Sequence, residues 1–384
     1  MERLWTRSFV FMTIGTFSLF TAFYMLYPTL PLFIIEIGGT EAHAGLAMGI
    51  FMLSAVLLRP FVGGLLDRFG RRSFIIWGVI LFAIAMYSYE WVGGILALII
   101  LRVIHGLSWG VSTTALLTSI TDLIPQNRRG EGLGWSGMAM TLAMGVGPMI
   151  GIWITQDQSY HLLFLFGAIL SIIALLLTFG AKMPLKRKPE TTKIILFEKK
   201  IVPVTIATFL VFVSYGGITT FVPLYASVLN FNSGTFFLIY AVTLILVRPL
   251  AGKFADKYGE AFVIIPALFI TIFSLIVLGF SNSWIGVIIS AVLYGIGFGS
   301  AQPALQAATI HLVSSERTGV ANASFATATD LGIGVGAMIL GWVSQYTNYQ
   351  TLFNVSALSV VLSLLVFFFL VKRLLKKQKK SEAA

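Results

Sequence analysis

Twelve separate stretches of this chain are apolar for roughly 20 residues each, and that one feature leaves few folds open. They run over 8–35, 44–65, 73–89, 93–121, 131–155, 162–181, 201–229, 235–255, 262–280, 284–312, 318–345 and 351–371. A helix rises about 1.5 Å per residue, so ~20 such residues cross a ~30 Å hydrocarbon core. Composition agrees. Of 384 residues, 57% are hydrophobic and 11% charged, against ~45–50% and ~25% in a soluble domain. Mean hydropathy is +0.92. The predicted fold is an all-α integral membrane protein with twelve transmembrane helices. Arg3 and Arg7 before the first apolar run imitate a signal peptide, but the run continues to Ile35 with no A-x-A-like site after it. A secretory apolar region is only ~7–15 residues long, so a retained first span is expected.

The cations fix an orientation. Of 26 Lys and Arg, only Arg59, Arg102 and Arg248 lie well inside spans; the other 23 fall at the termini or around the loops after spans 2, 4, 6, 8 and 10. Positive charge is retained on the cytoplasmic side, so both termini are expected to be cytoplasmic, in a multi-pass plasma-membrane protein. This placement turns the net charge of +11 away from nucleic acid as a partner. Cysteine is absent, which removes disulfides, thiolate metal sites and a cysteine nucleophile. The loop "KMPLKRKPETTKIILFEKK", 182–200, carries seven basic and two acidic residues and is the only long polar interruption. The expected domains are therefore a bundle over 1–181, a basic linker over 182–200, a second bundle over 201–371 and a basic tail over 372–384. Linker and tail read as topology-setting charge, with anionic lipid as a second partner for the tail.

The two bundles are written in related words. "RPFVGGLLDRFGRR" from Arg59 reappears 189 residues later as "RPLAGKFADKYGEA" from Arg248. Residues 103–154 and 292–343 align at that offset without a gap, with sixteen of 52 positions identical. Two related six-span halves form a parallel repeat, one of the transporter architectures.

With these motifs the sequence resembles the major facilitator superfamily, along the whole chain and most closely its twelve-span drug:proton antiporters. "GGLLDRFGRR", Gly63 to Arg72, resembles the family's loop between spans 2 and 3, and "GKFADKYGEA" its weaker copy between spans 8 and 9. "RVIHGLSWG" from Arg102 resembles the span-4 motif, with His105 where Gln is usual. "GLGWSGMAMTLAMGVGPMIG" resembles the antiporter motif of span 5, carrying Gly134, Gly147, Pro148 and Gly151 but Ala143 and Ile152 where glycines are usual. "YPTLP", Tyr27 to Pro31, matches the P-x-x-P of span 1 in exporters. The resemblance implies two pseudo-symmetric six-helix bundles and alternating access.

Each constellation has a physical reading. Gly63 allows close helix contact, while Gly70 and Gly259 allow a tight turn at positive φ. Asp67 and Asp256 are expected to latch the halves, facing the positive helix ends near Thr318 and Gly130. Arg68, Arg71 and Arg72 surround the first latch, and Arg71 or Arg72 is expected to pair with Asp122; the second copy sets Glu260 and Ala261 opposite His311. In span 5 the small residues let helices approach, and Pro148 invites a bend. Asp330 stands about twelve residues, or ~18 Å, into span 11 and is the only acidic residue so placed. Desolvation brings the neutral form of a carboxylate within reach, which suits a group that takes up and releases protons. Asp330, Arg102 and His105 are therefore the expected proton-coupling residues, with a structural ion pair as the plainer reading. Arg59 and Arg248 read as snorkelling to the nearby surface. Glu36 is placed at the outer interface, with proton uptake as an alternative role. Tyr24, Tyr27, Trp109, Tyr215, Gln302, Gln306 and Asn322 are candidate cavity residues. Trp91, Tyr160, Trp284, Tyr346 and Tyr349 fit an outer aromatic belt.

The leading functional expectation is a secondary transporter that exports a small amphipathic or lipophilic molecule in exchange for protons. A metallophore or lipid-linked molecule also fits as a natural substrate. The alternative is a proton-coupled uptake symporter for a sugar or organic acid. No G-x4-G-K-[ST] phosphate loop is present, so ATP is not the fuel. The four histidines are scattered and form no catalytic cluster, so neither an enzyme nor a cofactor is expected. A sensor or scaffold would have no use for Asp330 and Arg102 in mid-span. The partners expected are substrate, protons and lipid, with the single chain as the working unit.

Overall fold

In hydrocarbon every backbone N–H and C=O has to be bonded within its own segment, and a long apolar run does this as a helix. The structure, a computed structural model, describes residues 3–125, 128–156, 160–182, 198–314 and 317–383. It contains thirteen α-helices among these residues: α1 (Arg7–Glu36), α2 (Glu41–Phe69), α3 (Arg71–Ser88), α4 (Ile95–Leu123), α5 (Arg129–Thr155), α6 (Tyr160–Gly180), α7 (Val202–Val228), α8 (Ser233–Tyr258), α9 (Glu260–Phe280), α10 (Trp284–His311), α11 (Thr318–Tyr346), α12 (Tyr349–Val366) and α13 (Lys372–Ala383). Among the described residues, twelve helices are long and apolar enough to cross a membrane.

Helix starts are satisfied locally where the sequence supplies a cap. The Thr6 hydroxyl accepts from the Phe9 N–H at 3.2 Å, and the Asn348 carboxamide accepts from the Thr351 N–H at 2.8 Å; each covers one of the four donors a helix start leaves over. The apolar runs underestimate α2 and α8. Both helices continue through the charged phrase to Phe69 and Tyr258, so Asp67 and Asp256 stand on final helical turns and not in the loops. The basic tail is also helical. After a π-turn over Phe367–Val371, which buries Val371, α13 buries Leu375 and exposes Arg373, Lys376 and Lys377. Leu and Lys are good helix formers, and an apolar stripe gives that helix something to bury.

The chain divides into two compact units, Met1–Gly39 with Ile50–Thr192, and Thr40–Gly49 with Lys193–Ala384. In the first, α1 packs chiefly on α5 and α6, and α3 on α4 and α6. In the second, α7 packs chiefly on α11 and α12, and α9 on α10 and α12. This is one scheme used twice, and the repeated glycines explain it. A Cβ on Gly106 or Gly110 would stand 2.3 Å from the Phe51 carbonyl oxygen or 2.6 Å from that of Ala55. At the equivalent positions a Cβ on Gly295 would stand 2.7 Å from Thr243 Cβ, whereas one on Gly299 would make only ordinary contact with Leu244, at 3.4 Å. In lipid, helices associate through close packing, and the missing side chains let these backbones touch. Small hydroxyls add polar contacts: Ser274 and Ser290, on α9 and α10, each donate to the other's carbonyl, at 2.8 and 3.1 Å.

Candidate functional site

In the first unit, the approach of α4 to α2 places Arg102 beneath the Phe51 ring, with the guanidinium carbon 4.1 Å from the ring centre. Arg102 stands seven residues into α4, about 10 Å along it. The α3–α4 turn returns Tyr89 to the same point. Its hydroxyl accepts from Arg102 Nη1 at 3.2 Å and lies 3.0 Å from His105 Nδ1. Phe82 closes the other side, its ring centre 4.3 Å from that of His105. Arg102, His105 and Tyr89 are at most 1% exposed. A charge removed from water needs this compensation, here a ring face and a hydroxyl. A tyrosine oxygen that accepts from Arg102 has its own hydrogen left to give to Nδ1, which leaves the imidazole hydrogen on Nε2. Nε2 is buried and makes no hydrogen bond among the described residues. The arrangement is a short polar chain from guanidinium through phenol to imidazole. Spacing alone pairs Arg102 with His105; Tyr89 stands on a 3-10 turn after α3, and nothing in its local sequence points to α4.

The second unit repeats the scaffold without the charge. Tyr240 and Tyr294 occupy the places of Phe51 and His105, with ring centres 5.8 Å apart, and Tyr294 shares a 3.1 Å hydrogen bond with Ser214. Charge in this unit lies on other faces. Asp330 is half-buried, twelve residues into α11. It therefore belongs to a different unit from Arg102 and His105. Arg248 does not reach for the surface: its Nη2 donates to the Gln302 side chain on α10. Gln306 Nε2 donates to Asn322 Oδ1 at 3.3 Å, linking α10 to α11.

The two elbows turn through Gly70 at φ +84° and Gly259 at φ +90°, values that only glycine takes without strain. Arg71 pairs with Asp122, while Arg72 donates to the Phe179 carbonyl at 3.4 Å. At the equivalent positions Glu260 meets His311: the acid now starts its helix and a histidine, cationic only when protonated, ends the next. Asp256 is exposed. The side chains of Gly63, Asp67, Arg68 and Gly130 lie outside the described residues, as does most of the linker, 183–197. Beside it, Arg317 at the start of α11 binds Glu198, and that hydrogen bond holds the Glu198 carboxyl below the usual carboxylate range.

In α5, a Cβ on Gly147 would stand 2.6 Å from Tyr24 Cβ, and one on Gly151 2.4 Å from the Met25 carbonyl oxygen. Pro148 lies between them inside the helix. Gly134 is exposed and has nothing within 4 Å of its virtual Cβ. In α11, Gly332 and Gly336 make the matching approach to α7, at 2.5 Å from the Phe209 carbonyl oxygen and 2.6 Å from Val213 Cα. Trp109 stacks on Phe23 at 3.9 Å and Tyr215 on Phe298 at 4.8 Å, so both are packing residues here. Glu36 is exposed at the end of α1. A cavity of about 710 Å³ lies between the start of α2 and the end of α11, lined mainly by apolar side chains such as Leu46, Met338 and Trp342. No group of three or more His, Asp or Glu side chains among the described residues is placed to hold a metal ion.

Comparison with known proteins decides the family. The chain matches the Major Facilitator Superfamily over residues 12–242 and again over 231–384. It belongs to that superfamily. It is a multi-pass membrane transporter, not an enzyme. Among its relatives is the staphylopine export protein of Staphylococcus aureus, 25% identical over 94% of this chain and 95% of that protein. Another is the multidrug resistance protein MdtG of Enterobacter lignolyticus, 26% identical over 93% and 90%. The crystal structure of a bacterial homologue of the human lysosomal transporter Spinster superposes with a TM-score of 0.79, at 16% identity, over 96% of this chain and 97% of that one.

Proposed function

We propose that this transporter exports a small amphipathic molecule from the cytoplasm in exchange for protons. The plasma membrane is its site, with both termini cytoplasmic. Support for export comes from the staphylopine and multidrug exporters, which align along nearly the whole chain. Support for proton coupling comes from one observation above all: Asp330, half-buried and mid-way along α11, with an acidic side chain placed so deep nowhere else in the spans. A carboxylate at that depth changes charge when it binds a proton, and the change biases which face of the membrane its surroundings favour. The glycine-built α1–α5 and α7–α11 contacts give each unit a rigid interior that moves as one body. Arg102 and His105, buried together with Tyr89 in the first unit, are the other ionisable groups assigned to that coupling. Protons and substrate thereby compete for the same interior, as exchange requires.

Cells stripped of their other exporters test this. Expression of the wild-type chain is expected to lower accumulation of lipophilic dyes and raise tolerance to them, and Asp330→Asn, present in the membrane at equal amount, is expected to abolish both effects. Equal protection by wild type and variant would overturn the role of Asp330.

A further inference from the structure

The C-terminal helix α13 has no part in the proposed exchange, yet residues 372–383 hold six basic residues and one acidic one. Keeping a tail on the cytoplasmic side needs only that charge. It does not need a helix, nor the cations gathered on one face. The structure has both. Lys372–Ala383 is helical. Leu375 is buried, Leu374 and Gln378 are half-buried, and Arg373, Lys376 and Lys377 are exposed.

Depth and direction point the same way. α12 has 18 residues and the π-turn after it 5, together ~34 Å by helical rise, so a ~30 Å hydrocarbon core ends near Val371. The first turns of α13 then fall in the headgroup layer, roughly 5–7 Å deep on each side. Leu358, Leu362, Leu365 and Phe369 form an exposed apolar stripe along α12 and the π-turn. Its spacing of three or four residues continues into Arg373 and Lys377, both exposed. One stripe thus changes from leucine and phenylalanine to arginine and lysine where hydrocarbon gives way to headgroups. Lys372 marks the boundary, its ammonium 4.7 Å from the centre of the Phe368 ring.

We propose that α13 is a docking surface for the headgroups of anionic phospholipids in the cytoplasmic leaflet. This depends on the membrane placement given above and not on the direction of transport. The π-turn packs on α7 and α12, which fixes the start of α13 and leaves its basic face outward. A phospholipid fits the whole stripe: its acyl chains lie along Leu362, Leu365 and Phe369, and its phosphate reaches Arg373 and Lys377. A soluble acidic partner would meet the cations but not the apolar residues that lead up to them.

The test puts a reporter on the stripe. The chain has no cysteine, so Phe369→Cys carries a single bimane in the full-length protein, reconstituted in phosphatidylcholine vesicles. Quenching by phosphatidylglycerol with a doxyl group on its acyl chain is compared with quenching by the matching phosphatidylcholine. Phosphatidylglycerol is expected to half-quench at about fivefold lower mole fraction. That preference is expected to fade in about 1 M salt, where charges are screened within about 3 Å. Changing Lys372, Arg373, Lys376 and Lys377 together to Gln is expected to make the two lipids equal, whereas exchanging Lys for Arg and Arg for Lys at these positions keeps the preference. Should the glutamine variant not reach the vesicles, the salt dependence of the reporter protein gives the same reading. A preference that ignores salt, or one that survives the glutamine changes, overturns the assignment to α13. Equal quenching by both lipids before any further change overturns it too, and leaves the cations to a soluble acidic partner or to topology alone.

Discussion

Arg102 shows how much a single intramembrane residue depends on its neighbours. Its charge is met by the Phe51 ring and the Tyr89 hydroxyl, and a lysine cannot serve both, because an ammonium lacks the planar fork that lies flat on a ring while donating sideways. Arg102→Lys is therefore expected to lower transport by about tenfold at unchanged membrane abundance. Tyr89→Phe removes one hydrogen bond to a charged group and leaves the His105 ring without its partner. Its expected cost is ~1–2 kcal/mol, roughly a fivefold to thirtyfold loss in the same flux assay. A Tyr89→Phe protein as active as wild type would reduce the phenol to packing. At this scale the sequence was only partly legible. Arg102, His105 and Asp330 stand out because ionisable residues in apolar runs are rare, whereas Tyr89 and the Arg248–Gln302 bond depend on which helices touch. No local spacing encodes that.

At the scale of the element, the elbows carry a physical contrast. Arg71 starts α3 and Asp122 lies at the end of α4, so each charge opposes the dipole of its own helix. Glu260 starts α9 and agrees with its dipole, and His311 ends α10, where a protonated imidazole would agree with it too. The double variant Arg71→Glu/Asp122→Lys keeps the bridge and turns both charges the favourable way. It is expected to be more stable than wild type by about 0.5–2 kcal/mol, and each single variant to be less stable because it sets like charges together. Thermal unfolding in detergent reads the difference, and a double variant less stable than both singles would contradict it. The helices themselves were legible to within a few residues because apolar length fixes them. The extensions of α2 and α8, and the helical tail α13, were not, since their polar residues look like loop until a neighbouring surface gives them a face to bury.

At the scale of the whole molecule, the 189-residue repeat predicts a helix-pairing scheme used twice, and the two units have it, down to the glycines at the α1–α5 and α7–α11 contacts. Duplication explains the scaffold; divergence explains the function, because the copies differ where charge sits. The first unit holds a sealed cation, Arg102, and the second a half-buried acid, Asp330, and a half-buried arginine, Arg248, bonded to Gln302. In the proposed exchange of a proton for a substrate, Asp330 is the group whose charge changes. The most direct measurement is substrate flux in proteoliposomes of purified protein under an imposed pH gradient. Acidifying the compartment toward which substrate moves is expected to accelerate wild-type flux, collapsing the gradient to abolish the acceleration, and Asp330→Asn to carry substrate down its own gradient without responding to pH. Wild-type flux indifferent to the pH gradient, or an Asp330→Asn protein that still responds to it, would contradict the central claim.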